Sequence, residues 1–180
     1  MMQYRDGRLA AFETLYRRHK DPLYRYLLRG CAQPETAGEL FQDVWASLVR
    51  VRATYEPRAK FTTWLYRLAH NRLIDHLRLA PRAPLSLTPD DDDDEAPPPQ
   101  ALWAAEHERP DVQAQAAEQG LRIRRALAQL PLEQREAFLL HEEGGLTLDE
   151  IAEVSGVGRE TVKSRLRYAL VKLREALADV

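Results

Sequence analysis

The sequence predicts an all-α protein made of two small helical domains, a helical bundle and a four-helix domain with a helix-turn-helix, joined by a flexible acidic linker. Apolar residues recur at three- and four-residue spacing in both terminal parts of the chain, and no segment shows the two-residue alternation of a strand. Prolines and a run of acidic residues separate the two parts. These observations place the first domain at residues 1–80, the linker at 81–111 and the second domain at 112–180.

The composition is that of a soluble globular protein. Hydrophobic residues make up 44% and charged residues 30% of the 180 positions, a balance that supports folded domains. No apolar run approaches the roughly 18 residues of a membrane-spanning helix, and the first residues carry no apolar signal region. We therefore expect a cytoplasmic protein with no direct insertion into a membrane. A single cysteine, Cys31, allows neither an intrachain disulfide nor a cysteine-rich metal site, and we expect no metal and no cofactor.

The small net charge of −2 hides a segregation of charge along the chain. Residues 1–85 contain 15 Lys and Arg against 8 Asp and Glu, a net charge of +7. Residues 155–174 contain 6 against 1, a net charge of +5, whereas residues 86–117 contain 1 against 9, a net charge of −8. Two basic surfaces joined by an acidic tether are a pattern that the function must explain.

Three main helices are predicted in the first domain. The segment 8–20 is amphipathic, and the Asp-Pro pair at 21–22 reads as an N-cap with proline at the first helical position, so the helix restarts or kinks there. A second helix covers about 34–51 and a third about 61–79, each with apolar residues at i, i+3 and i+4. The segment 52–60 is a loop.

The second domain is predicted to hold four helices. The first begins near Val112 and is stopped by Pro131. Its later buried stripe consists of Ala116, Ile123, Leu127 and Leu130. A short helix covers about 133–141, and two glycines at 144–145 form the turn into the last two helices.

Residues 147–170 have the pattern of a helix-turn-helix. Thr147 and Glu150 form a capping box at a helix start, and Gly156 suits the tight turn. The buried stripe of the next helix consists of Val162, Leu166, Ala169 and Leu173. Its outer face carries Glu160, Lys163, Ser164, Arg167 and Tyr168. A basic and polar face beside a tight turn is typical of a major-groove reader; the alternative is an ordinary helical hairpin with a solvated charged face.

Four further motifs accompany the helix-turn-helix. They read Ala-Phe-Glu-Thr-Leu-Tyr at 11–16, Glu-Leu-Phe-Gln-Asp-Val-Trp at 39–45, Phe-Thr-Thr-Trp-Leu-Tyr-Arg-Leu-Ala-His-Asn-Arg-Leu-Ile-Asp at 61–75, and Leu-Pro-Leu-Glu-Gln-Arg-Glu at 130–136. Together they resemble bacterial RNA polymerase sigma factors of the sigma-70 family, of the small extracytoplasmic-function (ECF, group 4) type. The resemblance covers nearly the whole chain outside the linker and implies a sigma region 2-like first domain and a sigma region 4-like second domain.

The resemblance implies that core RNA polymerase is a partner. In such proteins the helix matching 34–51 docks on the clamp coiled coil of the largest subunit, and the enzyme's flap is a further contact. Glu39, Gln42 and Asp43 match positions that the family uses for core contact, and all three lie off the predicted apolar stripe. The alternative for any one of them is a solvated helix face.

The helix at 61–79 and the loop before it resemble the element that recognises the −10 promoter region. The residues implied in DNA contact are Arg58, Lys60, Phe61, Trp64, Arg67, Asn71 and Arg78. Opening DNA requires bases to be held outside the duplex, and aromatic stacking with a basic groove offsets the loss of base stacking. Phe61 and Trp64 also lie on the apolar stripe and are alternatively plain core residues, and Asn71 is alternatively a cap for a neighbouring backbone group.

The helix-turn-helix resembles the reader of the −35 promoter element. The residues implied in contact are Arg159, Glu160, Lys163, Ser164, Arg167 and Tyr168. Lysine and arginine bind guanine edges or phosphates, and Arg159, near the helix start, is expected to meet phosphate. Tyr168 departs from the family pattern, which commonly has a basic residue at this position.

The resemblance also implies a role for the linker and a partner that inhibits the protein. Sigma linkers thread polymerase channels that later hold nucleic acid, so the acidic run at 90–95 is expected to mimic nucleic acid inside the enzyme. The alternative is a solubilising spacer. Relatives are often held by an anti-sigma factor that covers the promoter- and polymerase-binding surfaces, and we expect such a partner here.

The predicted function is therefore that of a sigma factor, which binds core polymerase, recognises −35 and −10 elements and stabilises the opened −10 strand. The strongest alternative is a stand-alone helix-turn-helix regulator, which would bind duplex DNA without polymerase; another is a sigma mimic that titrates an inhibitor. An enzyme is not expected. His70, Asp75 and His76 lie close in sequence, but their spacing does not put the two histidines on one helical face. The sequence also has no Gly-rich phosphate loop and no zinc-protease motif.

Overall fold

The computed structural model describes residues 1–79 and 110–178, with the side chains of 110–118 left out of the description. The described part of the chain contains helices and no strands, which confirms the all-α prediction. The helices are α1 (Met2–Arg5), α2 (Leu9–Cys31), α3 (Pro34–Arg50), α4 (Phe61–Leu79), α5 (Pro110–Ala128), α6 (Leu132–Glu142), α7 (Leu148–Ser155) and α8 (Arg159–Ala178), with a 3-10 turn at Arg52–Thr54. The predicted linker falls almost wholly outside the described residues, as does its acidic run at 90–95.

The first domain is a bundle in which α2, α3 and α4 pack against one another. The stripe that α3 buries consists of Ala37, Leu40, Val44, Trp45 and Leu48. Helices α2 and α4 approach closely at Gly30, where an added Cβ would lie 2.5 Å from Leu73 Cδ2. A larger residue at position 30 would therefore force the buried Leu73 side chain to shift.

The sequence predicts that the helix restarts or kinks at the Asp-Pro pair. The restart is wrong, because α2 is one helix from Leu9 to Cys31 with Pro22 inside it. An interior proline costs roughly 3 kcal/mol because it removes a backbone donor and crowds the preceding turn. Just beyond it, Leu23, Tyr26 and Leu27 are completely buried. Each such side chain contributes on the order of 1.5–3 kcal/mol, so packing outweighs the local signal. The four-residue α1, which buries Tyr4, was not predicted at all.

In the second domain α5 begins at Pro110, two residues before the predicted start. Leu127 and Leu130 are buried as predicted, but Ile123 is 36% exposed, so that part of the predicted stripe is wrong. Ala126 is buried instead, because the face of α5 that meets α8 is rotated from the predicted one. The side chain of Ala116 lies outside the described residues.

The helix-turn-helix forms as its sequence predicts. Thr147 caps α7 in a complete capping box with Glu150, and Gly156 takes the left-handed conformation at φ 68°. The predicted stripe of α8 is buried at every position, namely Val162, Leu166, Ala169 and Leu173. Arg165 lies at the edge of the buried face.

The two domains pack against each other, with α7 lying on α4 and α6 on α2. The buried apolar side chains of both domains belong to one continuous cluster. The sequence pattern does not predict this packing, which places the first helix of the helix-turn-helix over part of the first domain. Within the described residues, no helix is both long and apolar enough to cross a membrane.

Candidate nucleic-acid and polymerase interfaces

The outer face of α8 presents all six residues that the resemblance assigns to the −35 element. Arg159, Glu160, Lys163, Ser164, Arg167 and Tyr168 are exposed. The face forms because Val162 and Leu166 are buried on the other side of the helix, which fixes the rotation of α8 about its axis.

Two cations on this face, Arg159 and Lys163, are held by weak ion pairs. Arg159 Nε lies 3.2 Å from Asp149 Oδ1, and Lys163 Nζ lies 3.6 Å from Glu160 Oε2. All four side chains are more than half exposed, and such pairs contribute roughly 0–1 kcal/mol. The two cations can therefore exchange these partners for phosphate or base edges at little cost.

Tyr168 holds the guanidinium of its neighbour. Arg167 Nη2 donates a hydrogen bond to Tyr168 Oη at 3.2 Å, and Arg167 Cζ lies 4.9 Å from the ring centroid. A guanidinium over an aromatic face is a favourable cation–π arrangement. The residue that departs from the family pattern thus restricts the orientation of a cation on the same face.

The aromatic residues that the resemblance assigns to the −10 element form a half-buried cluster at the start of α4. The Tyr55 ring, which is buried, meets Trp64 edge-on with centroids 4.9 Å apart. Phe61 lies 5.9 Å from Trp64 and 5.2 Å from His19, measured between ring centroids. Phe61 and Trp64 are each half-buried, so they contribute to the core and still present an edge to solvent. The geometry is compatible with both roles given for them.

The cations nearest this cluster are paired with carboxylates. Arg58 Nη2 lies 2.7 Å from Glu56 Oε2, and Lys60 Nζ lies 3.1 Å from Glu150 Oε1. Arg67 pairs with Glu153. A cavity of about 360 Å³ opens here and is lined by Thr54, Glu56, Arg58, Ala59, Trp64, Arg67 and Glu153. Two of these carboxylates, Glu150 and Glu153, come from α7 of the other domain.

Not all of the predicted −10 residues lie together. Asn71 and Arg78 are exposed on α4. Arg78, however, lies about 16 Å beyond Arg67 along the helix axis, given the rise per residue of an α-helix. The seven residues therefore form a track along α4 and its preceding loop, with the aromatic cavity at one end.

The predicted polymerase-contact residues lie on one exposed face of α3. Glu39, Gln42 and Asp43 are exposed, and their spacing of three and four residues makes them neighbours on the helix surface. The opposite face, with Leu40 and Val44, is buried against α2 and α4.

Several residues that join the domains were missed by sequence reasoning. Thr63 and Tyr66 are buried polar residues of α4: Thr63 Oγ1 donates to Glu150 Oε1 at 3.1 Å, and Tyr66 Oη donates to the backbone oxygen of Glu143 at 2.8 Å. Their position beside the apolar stripe of α4 could have indicated that they are buried, because together with the stripe they form a wider buried face. For Glu150 the sequence indicates only the capping role.

Glu150 is held as a carboxylate from two sides. The Thr147 backbone N–H lowers its pKa to about 2, against partial burial and with help from the side chains of Lys60 and Thr63. Burial has the opposite effect on a phenol and raises the pKa of Tyr66. Near neutral pH Glu150 is therefore an anion facing cations, and Tyr66 is a neutral hydrogen-bond donor.

Comparisons with known proteins bear on both domains. The family model described as Sigma-70 region 2 matches residues 15–82, and the one described as Sigma-70, region 4 matches residues 120–173. The ECF RNA polymerase sigma factor SigM of Mycobacterium tuberculosis is 32% identical over 167 residues, covering 93% of this chain and 77% of SigM.

Two solved complexes have a similar fold. The sigma factor RpoE bound to the anti-sigma factor NepR, from Bartonella quintana, matches with a TM-score of 0.69 and 21% identity, covering 95% of this chain and 99% of that one. CnrH, bound to the cytosolic domain of CnrY, matches with a TM-score of 0.69 and 24% identity, covering 99% and 95%. At these identities the likeness shows the fold.

Proposed function

This chain belongs to the ECF sigma factors of the sigma-70 family, which direct core RNA polymerase to promoters, and from that premise we propose which of its surfaces perform each step. The exposed face of α3, with Glu39, Gln42 and Asp43, binds the clamp coiled coil of the largest polymerase subunit. The second domain binds the flap and the −35 element, and α4 binds the −10 element.

The −35 element is read by the outer face of α8. Lys163 and Arg167 bind guanine edges or phosphate, and Ser164 and Glu160 supply further hydrogen-bonding groups toward base edges. Arg159, at the first position of α8, binds phosphate. The supporting observation is the orientation of this face, fixed by the buried stripe of α8.

The −10 strand is held along α4 after the duplex opens. Arg58, Lys60 and Arg67 bind its backbone, and Trp64 with Phe61 offers a surface on which an unstacked base packs. The single observation that carries this assignment is the cavity lined by Trp64, Arg58 and Arg67, which places aromatic area beside two guanidinium groups. Each guanidinium is paired with a carboxylate of the same cavity, Glu56 or Glu153, which a phosphate would replace. Asn71 and Arg78 extend the track toward the end of α4.

The protein is proposed to act without catalysis of its own, since RNA synthesis belongs to the polymerase. Its place of action is then the cytoplasm, where the polymerase works. An anti-sigma factor is a further proposed partner. RpoE of Bartonella quintana, which shares the fold of this chain, is solved in complex with the anti-sigma factor NepR.

Transcription from a promoter library with purified core polymerase tests the proposal. We expect core polymerase to start at defined positions only when this protein is added, with start sites that share a −35 and a −10 sequence. Tight binding of the free protein to a duplex operator, with no effect on where the core enzyme starts, would instead identify a stand-alone helix-turn-helix regulator.

A further inference from the structure

The loop between α3 and α4 forms one wall of the cavity against which a −10 base is proposed to pack. The loop residues of this wall are Thr54, Glu56, Arg58 and Ala59. Trp64 and Arg67 of α4 line the same cavity. Residues 55–60 have no regular secondary structure, so contacts with neighbouring elements must fix the position of the wall. The precision of a binding site depends on such supporting contacts.

Helix α1 packs on the start of this loop. Gly7, at φ 96°, turns the chain from α1 toward α2, a backbone conformation that favours glycine. Tyr4 is only 4% exposed, and its ring centroid lies 5.1 Å from that of Phe12 in α2. Arg52, the first residue of the 3-10 turn, has its guanidinium carbon 5.3 Å from the centroid of the Tyr4 ring. A guanidinium over an aromatic face is attracted to it, so Tyr4 holds the beginning of the turn.

Arg5 holds the other end of the turn. Arg5 Nη1 donates a hydrogen bond of 3.4 Å to the backbone oxygen of Tyr55, the residue that follows the 3-10 turn. The same guanidinium pairs through Nε with Asp6 Oδ1 at 3.0 Å, which restricts its orientation. Helix α1 therefore contacts the loop on both sides of the turn.

Tyr55 connects these contacts to the cavity. Its ring is buried and meets the Trp64 ring edge-on, with centroids 4.9 Å apart, while its backbone oxygen accepts the hydrogen bond from Arg5. We propose that Tyr4 and Arg5 are positioning residues for −10 recognition, which hold the loop so that Tyr55 fixes the Trp64 ring in the orientation that receives a base. The inference rests on the proposed role of α4 and the loop before it.

The contacts of α1 with the loop are directional and weak. Burial of the Tyr4 ring against α2 anchors α1 by itself and does not require the two guanidinium contacts. The hydrogen bond of Arg5 is long, and Arg52 is only partly buried, so neither contact adds much to the stability of the bundle. Their effect is to restrict where the loop backbone lies. Their removal should therefore change the loop more than the global stability.

Amide hydrogen exchange in the full-length protein tests whether α1 holds the loop. The amides of Thr54, Tyr55 and Arg58 are hydrogen-bonded to backbone oxygens of the same segment. Tyr4→Leu removes the aromatic face under Arg52 but keeps an apolar side chain and the net charge. It should speed exchange of the three amides about twofold to fivefold, the range set by the loss of one cation–π contact. Tyr4→Phe keeps the ring and should exchange like the wild type.

Arg5→Ala tests the hydrogen bond to the loop. Arg8→Ala, which removes an exposed arginine of the same segment, is its charge-matched control. Arg5→Ala should speed exchange of the loop amides by a similar factor, whereas Arg8→Ala should not. Exchange in α3 and α8 should stay unchanged in all four variants, because only a general loss of stability would raise it there.

Open-complex formation tests whether the position of the loop serves −10 recognition. Core polymerase with each variant is assayed on promoters with intact or substituted −10 elements, and permanganate reactivity of unpaired thymines is the readout. Tyr4→Leu and Arg5→Ala should lower the preference for an intact −10 element about twofold to fivefold and keep the preference for an intact −35 element. Since Tyr4→Leu changes no charge, a lost phosphate contact does not explain its effect.

A purely structural role of α1 gives a different result. It would lower the amount of active protein and reduce opening of all promoters alike, with both preferences unchanged. Wild-type loop exchange in Tyr4→Leu and Arg5→Ala would overturn the proposal, and so would faster exchange with an unchanged −10 preference. If the wild type itself shows no preference for an intact −10 element, the proposed function is rejected and the positioning role falls with it.

Discussion

Glu150 Oε1 lies 3.1 Å from Lys60 Nζ, an ion pair that joins the first helix of the helix-turn-helix to the loop before α4. The same carboxylate completes the capping box of α7 through its other oxygen. One side chain therefore stabilises a helix start locally and links the two domains. Its substitution should affect both roles.

The stability of the protein should depend on the ionisation of Glu150. The Thr147 backbone N–H, with Lys60 and Thr63, lowers the pKa of this carboxyl from 4.5 to about 2. A lowered pKa in the folded state adds stability above the unfolded pKa, and this stability is lost as pH falls from about 4.5 toward 2. Glu150→Gln should flatten the fall of the unfolding free energy over this window, measured by urea denaturation at several pH values.

Glutamine is a suitable replacement because it still accepts the backbone hydrogen bond of a capping box. Glu175→Gln, which removes an exposed carboxylate of α8, serves as the control. A slope for Glu150→Gln that equals the wild-type slope would contradict the assignment.

Removing the cations on α8 should weaken −35 recognition without weakening binding to core polymerase. Lys163→Ala and Arg167→Ala each remove an exposed cation, and the loss of a contact to a base or phosphate costs about 1–3 kcal/mol. Transcription from promoters with intact and scrambled −35 elements measures the effect. Lys172→Ala removes another exposed cation of α8 and should have little effect. Loss of core binding by a folded Lys163 or Arg167 variant would refute the assignment.

Asp43→Ala should have the opposite pattern. The carboxylate lies on the exposed face of α3, so the variant should bind core polymerase about tenfold more weakly, as expected for a contact of roughly 1–2 kcal/mol, and keep its fold. Glu13→Ala, which removes an exposed carboxylate of α2, is the control. Affinity is measured by titrating labelled protein with core enzyme. Equal affinities for the two variants would place the contact elsewhere.

Tyr168 should act through Arg167. Tyr168→Phe keeps the ring under the guanidinium and loses only the hydrogen bond of 3.2 Å, so −35 recognition should stay close to wild type. Tyr168→Ala removes both contacts and should weaken it by about 0.5–1 kcal/mol, the usual size of an exposed cation–π contact. If the alanine variant is additive with Arg167→Ala, the two residues do not act together.

The acidic run of the linker gives a prediction that rests on sequence alone, because it lies outside the described residues. Replacing the five aspartates at 90–94 with serine should change the ratio of abortive to full-length transcripts if the run occupies a nucleic-acid channel of the polymerase. The assay is single-round transcription with the reconstituted holoenzyme. An unchanged ratio and unchanged core affinity would leave the run as a solubilising spacer.

The sequence by itself determined the helices and most of their buried faces. The capping box at Thr147, the turn at Gly156 and the stripe from Val162 to Leu173 depend on residues within a few positions of one another. Backbone hydrogen bonding and helical periodicity act over that range, so these features can be recognised in the sequence alone. The same periodicity indicates the exposed faces of α3 and α8.

Only the tertiary structure decided the course of α2 through Pro22, the exposure of Ile123 and the packing of α7 on α4. Each depends on which surface of another helix lies opposite. That surface is set by the conformation of all the residues between the two helices, which short-range sequence patterns do not determine. Glu150 is the clearest case. Its capping role could be read from Thr147, three residues away, whereas its contact with Lys60 exists only because the two domains close on each other.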